Sequence, residues 1–190
     1  MWSLRSIRAE SAQPRRSVSV ACDLTNRVPI QDGDFGFRVD DFLEHLQDVS
    51  PTAFSGKVYV CSKSLEGQAL AMVTLDEDEE SWIDFPPVSD IRSYVKREYP
   101  SLGGDQGVAV FVAATLIHEY AHVITEVEGF AWGFQPRSHG SYWVQVYTDL
   151  ISDVTGLTCP VKSVTARNQI DRQAQRCVQR WSGLDRFLLP

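Results

Sequence analysis

Residues 105–128 constrain the fold more than any other stretch. They contain no proline, one early glycine (Gly107), and a largely apolar sequence running from Val108 to Val127. A run this long is too long for a strand and suits a helix buried nearly all round. Asp105 can cap it after the Gly103-Gly104 loop, and Gly129 offers a C-terminal stop. Set inside this run is His118-Glu119-Tyr120-Ala121-His122. Ionisable groups in a buried helix need a partner of some kind. The rest of the chain must therefore fold around a central helix with a polar purpose.

That purpose is legible in the spacing. Residues four apart lie on one helix face, one turn up, so the imidazoles of His118 and His122 can reach one metal ion. Glu119 follows the first histidine and can take a proton from a water at that ion without being a ligand. Half of the chain's 4 histidines are spent on this pattern, and chance would produce it roughly 0.004 times in such a chain. The plainer alternative is a pair of histidines satisfied inside a helix with no metal.

A catalytic zinc takes three protein ligands and keeps a fourth position open. His139 is the leading third ligand. It lies 17 residues after His122, with Gly129, Gly133 and Pro136 between them to turn the chain back. Glu126 is one turn beyond His122, about 6 Å along the axis and too far for the same ion. Asp149 and Asp153 are more distant rivals. His45 sits on a short amphipathic segment and reads as structural or exposed.

The pattern HEYAH, a 16-residue spacer, then His139-Gly140-Ser141-Tyr142-Trp143 resembles the SprT-like (Spartan-type) zinc metallopeptidases. Their pattern places His-Gly at about this distance, with an aromatic three positions after the glycine; Trp143 fills it. The resemblance covers about residues 55–155. It implies a minimal zincin with Zn2+ on His118, His122 and His139, Glu119 as catalytic base, and action on DNA-bound or DNA-crosslinked proteins or a less characterised role. The paired CxxC motifs of the zinc ribbon that many members carry are not in this sequence.

The remaining chain supports an α+β fold, a small antiparallel sheet of three or four strands packed on helices around the HExxH helix. Lys57–Ser62, Gln68–Leu75 and Ser81–Phe85 alternate as strands, and their short connections suggest an antiparallel meander. Pro86-Pro87 after the third suggests an edge strand, alongside which extended polypeptide could add. Val18–Cys22 is a further short strand candidate, and residues 23–38 read as loop. Helices are expected from Asp40 or Asp41 to Pro51, over 89–98, from Ser141 to Thr155, and over 163–182. Residues 1–16 read as a basic, mobile arm and 17–190 as a single domain.

Composition narrows the setting. The hydrophobic share of 43% is ample for a core, and the net charge of −7 gives no global sign of a nucleic-acid binder. Yet Arg172, Arg176 and Arg180 recur every four residues on the last helix, beside an apolar face. That stripe is either a solvated face or a weak nucleic-acid contact. Cys22, Cys61, Cys159 and Cys177 form no CxxC and read as reduced, in an intracellular setting, cytoplasmic or nuclear/nucleoid-associated. No apolar run is expected to span a membrane. The sequence is silent on oligomeric state. The function expected is zinc-dependent peptide-bond hydrolysis, with Tyr142 or Tyr147 as candidate transition-state donors. The rival is a non-catalytic binding module with a structural zinc site.

Overall fold

The computed structural model describes residues 27–31, 33–50, 57–65, 71–75, 80–133, 139–159 and 167–189. The expected basic arm and the strand candidate at Val18–Cys22 lie outside the described residues. In chain order the elements are β1 (Val28–Pro29), α1 (Val39–Val49), β2 (Lys57–Ser62), β3 (Met72–Leu75), β4 (Glu80–Phe85), α2 (Val88–Glu98), α3 (Gly104–Trp132), α4 (Ser141–Thr155) and α5 (Arg167–Arg180). A 3₁₀ segment, Ser182–Phe187, follows α5.

α3 is the axis of the molecule. Val108, Phe111, Leu116, Ile117, Val123 and Ile124 are all buried, on every side of the helix. α4 and α5 pack on it, α2 packs against its N-terminal part, and the sheet meets it through β3 and β4. It continues past Gly129 and stops at Trp132, where Gly133 takes a left-handed φ of 69°. By length and apolarity alone the 26 residues Gly104–Gly129 could cross a membrane, contrary to the sequence expectation. In the fold 89% of that apolar window is buried, so α3 is a core helix of this domain.

The sheet is small and mixed, in the order β1-β2-β4-β3. This corrects the expected meander. β2 pairs with β4 in parallel, Tyr59 opposite Trp82 and Cys61 opposite Asp84, and β3 pairs antiparallel on the far side of β4. Ser81–Phe85 is therefore interior, and the substrate-edge role expected of it falls. The reason is visible in the faces. Val58, Val60, Ile83 and Phe85 all point into the main core, while Tyr59, Cys61 and Trp82 form a second cluster on the opposite face. β4, buried on both faces, fits the middle of a sheet better than its rim. Asp84 is fully buried there and is held by a fork from Arg27, Nε to Oδ1 at 2.7 Å and Nη2 to Oδ2 at 2.8 Å. Removing either partner would strand a buried charge, at about 3–5 kcal/mol.

The cysteines also differ from expectation. Cys159 and Cys177 form a disulfide, their Cα atoms 6.5 Å apart across 18 residues of chain. Cys61 is disulfide-bonded as well. The Cys159–Cys177 bond pins the start of the α4–α5 connection to α5. Chain entropy in the unfolded state makes a closure of that length worth about 3 kcal/mol. The premise for an intracellular setting, reduced thiols, is thereby removed.

The last residues close the structure. Phe37 bridges Leu188, Arg38 N–H donates to Phe187 O at 2.8 Å, and Leu189 N–H donates to Gly36 O at 3.1 Å. Phe37, Phe42 and Phe187 pack as one aromatic group beside His45, whose ring stacks on Trp181 at 5.6 Å. His45 is structural, as expected of it.

Candidate metal centre

The three histidines singled out by sequence come together. One nitrogen from each of His118, His122 and His139 lies within 4.8 Å of the others. Helix α3 supplies two, and the third arrives on the chain returning from α3 to α4. His139 Nε2 stands 3.1 Å from His118 Nε2 and 3.1 Å from His122 Nε2. His45, Glu126, Asp149 and Asp153 are not in the cluster, and among the described residues no fourth His, Cys, Asp or Glu joins it.

The donor set fits a metal ion. Two nitrogens each about 2.0–2.1 Å from one tetrahedral ion stand roughly 3.3 Å apart, close to the spacing seen. Three imidazole Nε2 atoms aimed at one point turn lone pairs toward each other. A shared cation removes that conflict for all three at once; hydrogen bonds among them cannot. The cluster is buried on the His118 side and half-open at His122 and His139. With no fourth protein ligand among the described residues, the donor set matches a catalytic zinc, whose fourth position goes to water or substrate, rather than a closed structural site.

Glu119 completes the polar group. It is 6% exposed, and its Oε1 lies 3.9 Å from His118 Nε2. Thr125, also buried, donates its hydroxyl to His122 O at 3.1 Å, which ties down the helical turn after the second histidine.

Beneath the cluster lies Trp143, 1% exposed. Its ring centroid is 4.6 Å from that of His118, 4.9 Å from His122 and 4.5 Å from His139. One side chain thus touches all three imidazoles, nearly parallel to that of His122. The sequence marks Trp143 as core through the α4 stripe Trp143, Val146, Tyr147, Leu150 and Val154, all buried except the half-buried Val146, but not as the floor of the cluster. Among the described residues its Nε1 has no hydrogen-bond partner. Tyr147, 1% exposed, packs edge-on to His118 at 5.4 Å. Tyr142 is 40% exposed at the rim, and its hydroxyl donates to Glu128 Oε2. The sequence reading gives Glu128 no role; its signal there is its place on α3, six residues past His122.

The acids around the site behave as partly buried groups. Burial raises the pKa of Glu126 and of Glu128. Burial and then the neighbouring Asp149 raise that of Asp153, which with Asp149 lies on the exposed side of α4. Both aspartates fit surface carboxylates.

The arrangement, HExxH on a buried helix with a third histidine from the following loop, is a zincin-like metal site on an α+β fold, consistent with the zinc metallopeptidase superfamily. Protein-family models, curated proteins and solved structures give no match to this chain.

Proposed function

We propose that this protein is a zinc-dependent metallopeptidase, with His118, His122 and His139 as ligands and Glu119 as general base. The observation that carries the reading is the convergence of the three Nε2 atoms beside a buried carboxylate, with no fourth ligand among the described residues. Zinc, when bound, supplies Lewis acidity that polarises a carbonyl oxygen and acidifies a water. The chain's own residues do the rest. Glu119 accepts a proton from the attacking water and passes it to the leaving amine nitrogen. Trp143 fixes the imidazole planes. Tyr147, edge-on to His118, is the hydroxyl donor proposed for transition-state charge; the Tyr142 hydroxyl is taken up by Glu128. A structural zinc in a binding module is the weaker reading, because a closed site has no use for a buried base.

The sequence resemblance to SprT-like peptidases extends the proposal to protein substrates associated with DNA. What supports it is the HEYAH and His-Gly-x-x-Trp pattern together with the exposed Arg172, Arg176 and Arg180 on α5.

The test is Glu119→Gln assayed on a denatured protein substrate. The variant should keep fold and zinc and lose at least about 10²-fold in rate, since the amide cannot take the proton. Cleavage at the wild-type rate would remove Glu119 from the mechanism.

A further inference from the structure

His118 and His122 ride on a continuous helix, and their geometry is set by it. His139 has no such support. It sits after α3 has ended at Gly133 and before α4 begins at Ser141, and it is the one described non-glycine residue with positive φ, at 59°. For an L-residue that region costs on the order of 1–2 kcal/mol. Such a conformation persists only where the surroundings over-determine it.

Two contacts do so. The inner one is Trp143, edge-on to His139 at 4.5 Å. The outer one is the Tyr142 hydroxyl on the Glu128 carboxylate. Glu128 is on α3 and Tyr142 is in the first turn of α4, so this bond closes a ring of chain from 128 to 142. His139 lies inside that ring, three residues from its end. Tyr142 is also an anomaly on its own terms. Among the described residues only it and Val28 are large, apolar-bodied and exposed. A bulky aromatic at the rim of a site has a reason to be there when its hydroxyl makes the closing contact.

We propose that the Tyr142–Glu128 hydrogen bond is a latch that holds His139 in its left-handed conformation against His118 and His122, which makes Tyr142 and Glu128 positioning residues for the metal centre. The inference rests on the metal-site reading above. It adds that affinity for the ion is set in part by a bond at the rim, outside the three ligands. Partners behind metal-ligating histidines typically carry about 10–100-fold in metal affinity. An exposed latch belongs at the lower end.

The experiment is titration of the full, metal-free chain with Zn2+ and, for its visible spectrum, Co2+. The proteins are wild type, Tyr142→Phe, Glu128→Ala, Glu128→Gln, His139→Ala and the His139→Ala, Tyr142→Phe double variant. Tyr142→Phe and Glu128→Ala should each bind about 10-fold more weakly. Glu128→Gln, whose amide oxygen still accepts the phenol proton, should fall between Glu128→Ala and wild type. In the His139→Ala background, Tyr142→Phe should change nothing further, because the latch acts only through His139. A Tyr142→Phe affinity within twofold of wild type overturns the latch. So does an equal loss with and without His139, which would mark a general structural effect. A wild type that binds no metal overturns the metal-centre reading itself, and the latch with it.

Discussion

Trp143 gives the sharpest quantitative test of the site, because its two simplest substitutions should behave very differently. The side chain is 1% exposed and packs within 4.9 Å, centroid to centroid, of His118, His122, His139 and Tyr147. Trp143→Ala empties that space and should cost about 3–5 kcal/mol of stability. Trp143→Phe keeps a six-membered ring and deletes the unpartnered Nε1–H. The smaller ring leaves a void of roughly 40 Å³, which at about 24 cal/mol per Å³ costs on the order of 1 kcal/mol, with a transfer loss of similar size. Relief of a buried, unsatisfied N–H recovers about 1–3 kcal/mol. The terms nearly cancel, so Trp143→Phe should lie within about 1 kcal/mol of wild type. Urea unfolding of the metal-free proteins reads stability, and zinc titration reads the site. Trp143→Ala should also bind zinc about 10–100-fold more weakly, as all three imidazoles lose their floor. A Trp143→Phe cost above about 3 kcal/mol would show that Nε1 does have a partner. A Trp143→Ala cost below about 1 kcal/mol would show that the ring is not packed as described.

Two further outcomes follow from residues away from the cluster. Burial is the largest influence on His45 and lowers its pKa from 6.5; Arg186 lowers it too, while the hydrogen bond to Val154 O and the charge of Asp48 pull the other way. The unfolded state then binds the proton more readily than the folded one, so His45 should make stability fall as pH drops through the window just below 6.5 and leave it level above. Urea midpoints at pH 5 and pH 7.5 should differ less in His45→Phe than in wild type, and an unchanged difference would refute the assignment. On α5, Arg172, Arg176 and Arg180 are exposed, and among the described residues none pairs with an acid. If they contact phosphates, DNA binding should be micromolar or weaker with a log–log salt slope of about −2 to −3, and the triple Glu variant should abolish it. Wild-type binding that is absent at low salt would leave a solvated helix face.

What the sequence makes legible here is what local geometry decides. Four-residue spacing alone places His118 and His122 together, and the apolar run around them fixes a buried helix whatever the rest of the chain does. α4 runs from Ser141 to Thr155 as its stripe predicts, closed by Gly156 at φ 66°. The end of α3 is less legible: Gly129 is the stop expected from the sequence, and a second glycine, Gly133, follows four residues on. Only packing decides between them: Gly129 is buried within the helix, and the turn falls to Gly133.

Longer-range pairings are a different matter. Alternation in Lys57–Ser62 and Ser81–Phe85 shows which residues share a face but not which strand is the neighbour, since an antiparallel β2–β3 pair and the observed parallel β2–β4 pair bury the same side chains. The Cys159–Cys177 bond is equally invisible, as it needs α5 to lie back on the end of α4. The metal site survives the misread sheet because none of its ligands is on a strand. It depends instead on one non-local event, the return of His139 to α3, and glycines and a proline announce that the chain turns without saying where it lands. The landing is set by Trp143 from below and by Tyr142 on Glu128 from the rim. The third ligand is therefore the point at which the site's affinity should respond most to changes outside the histidines.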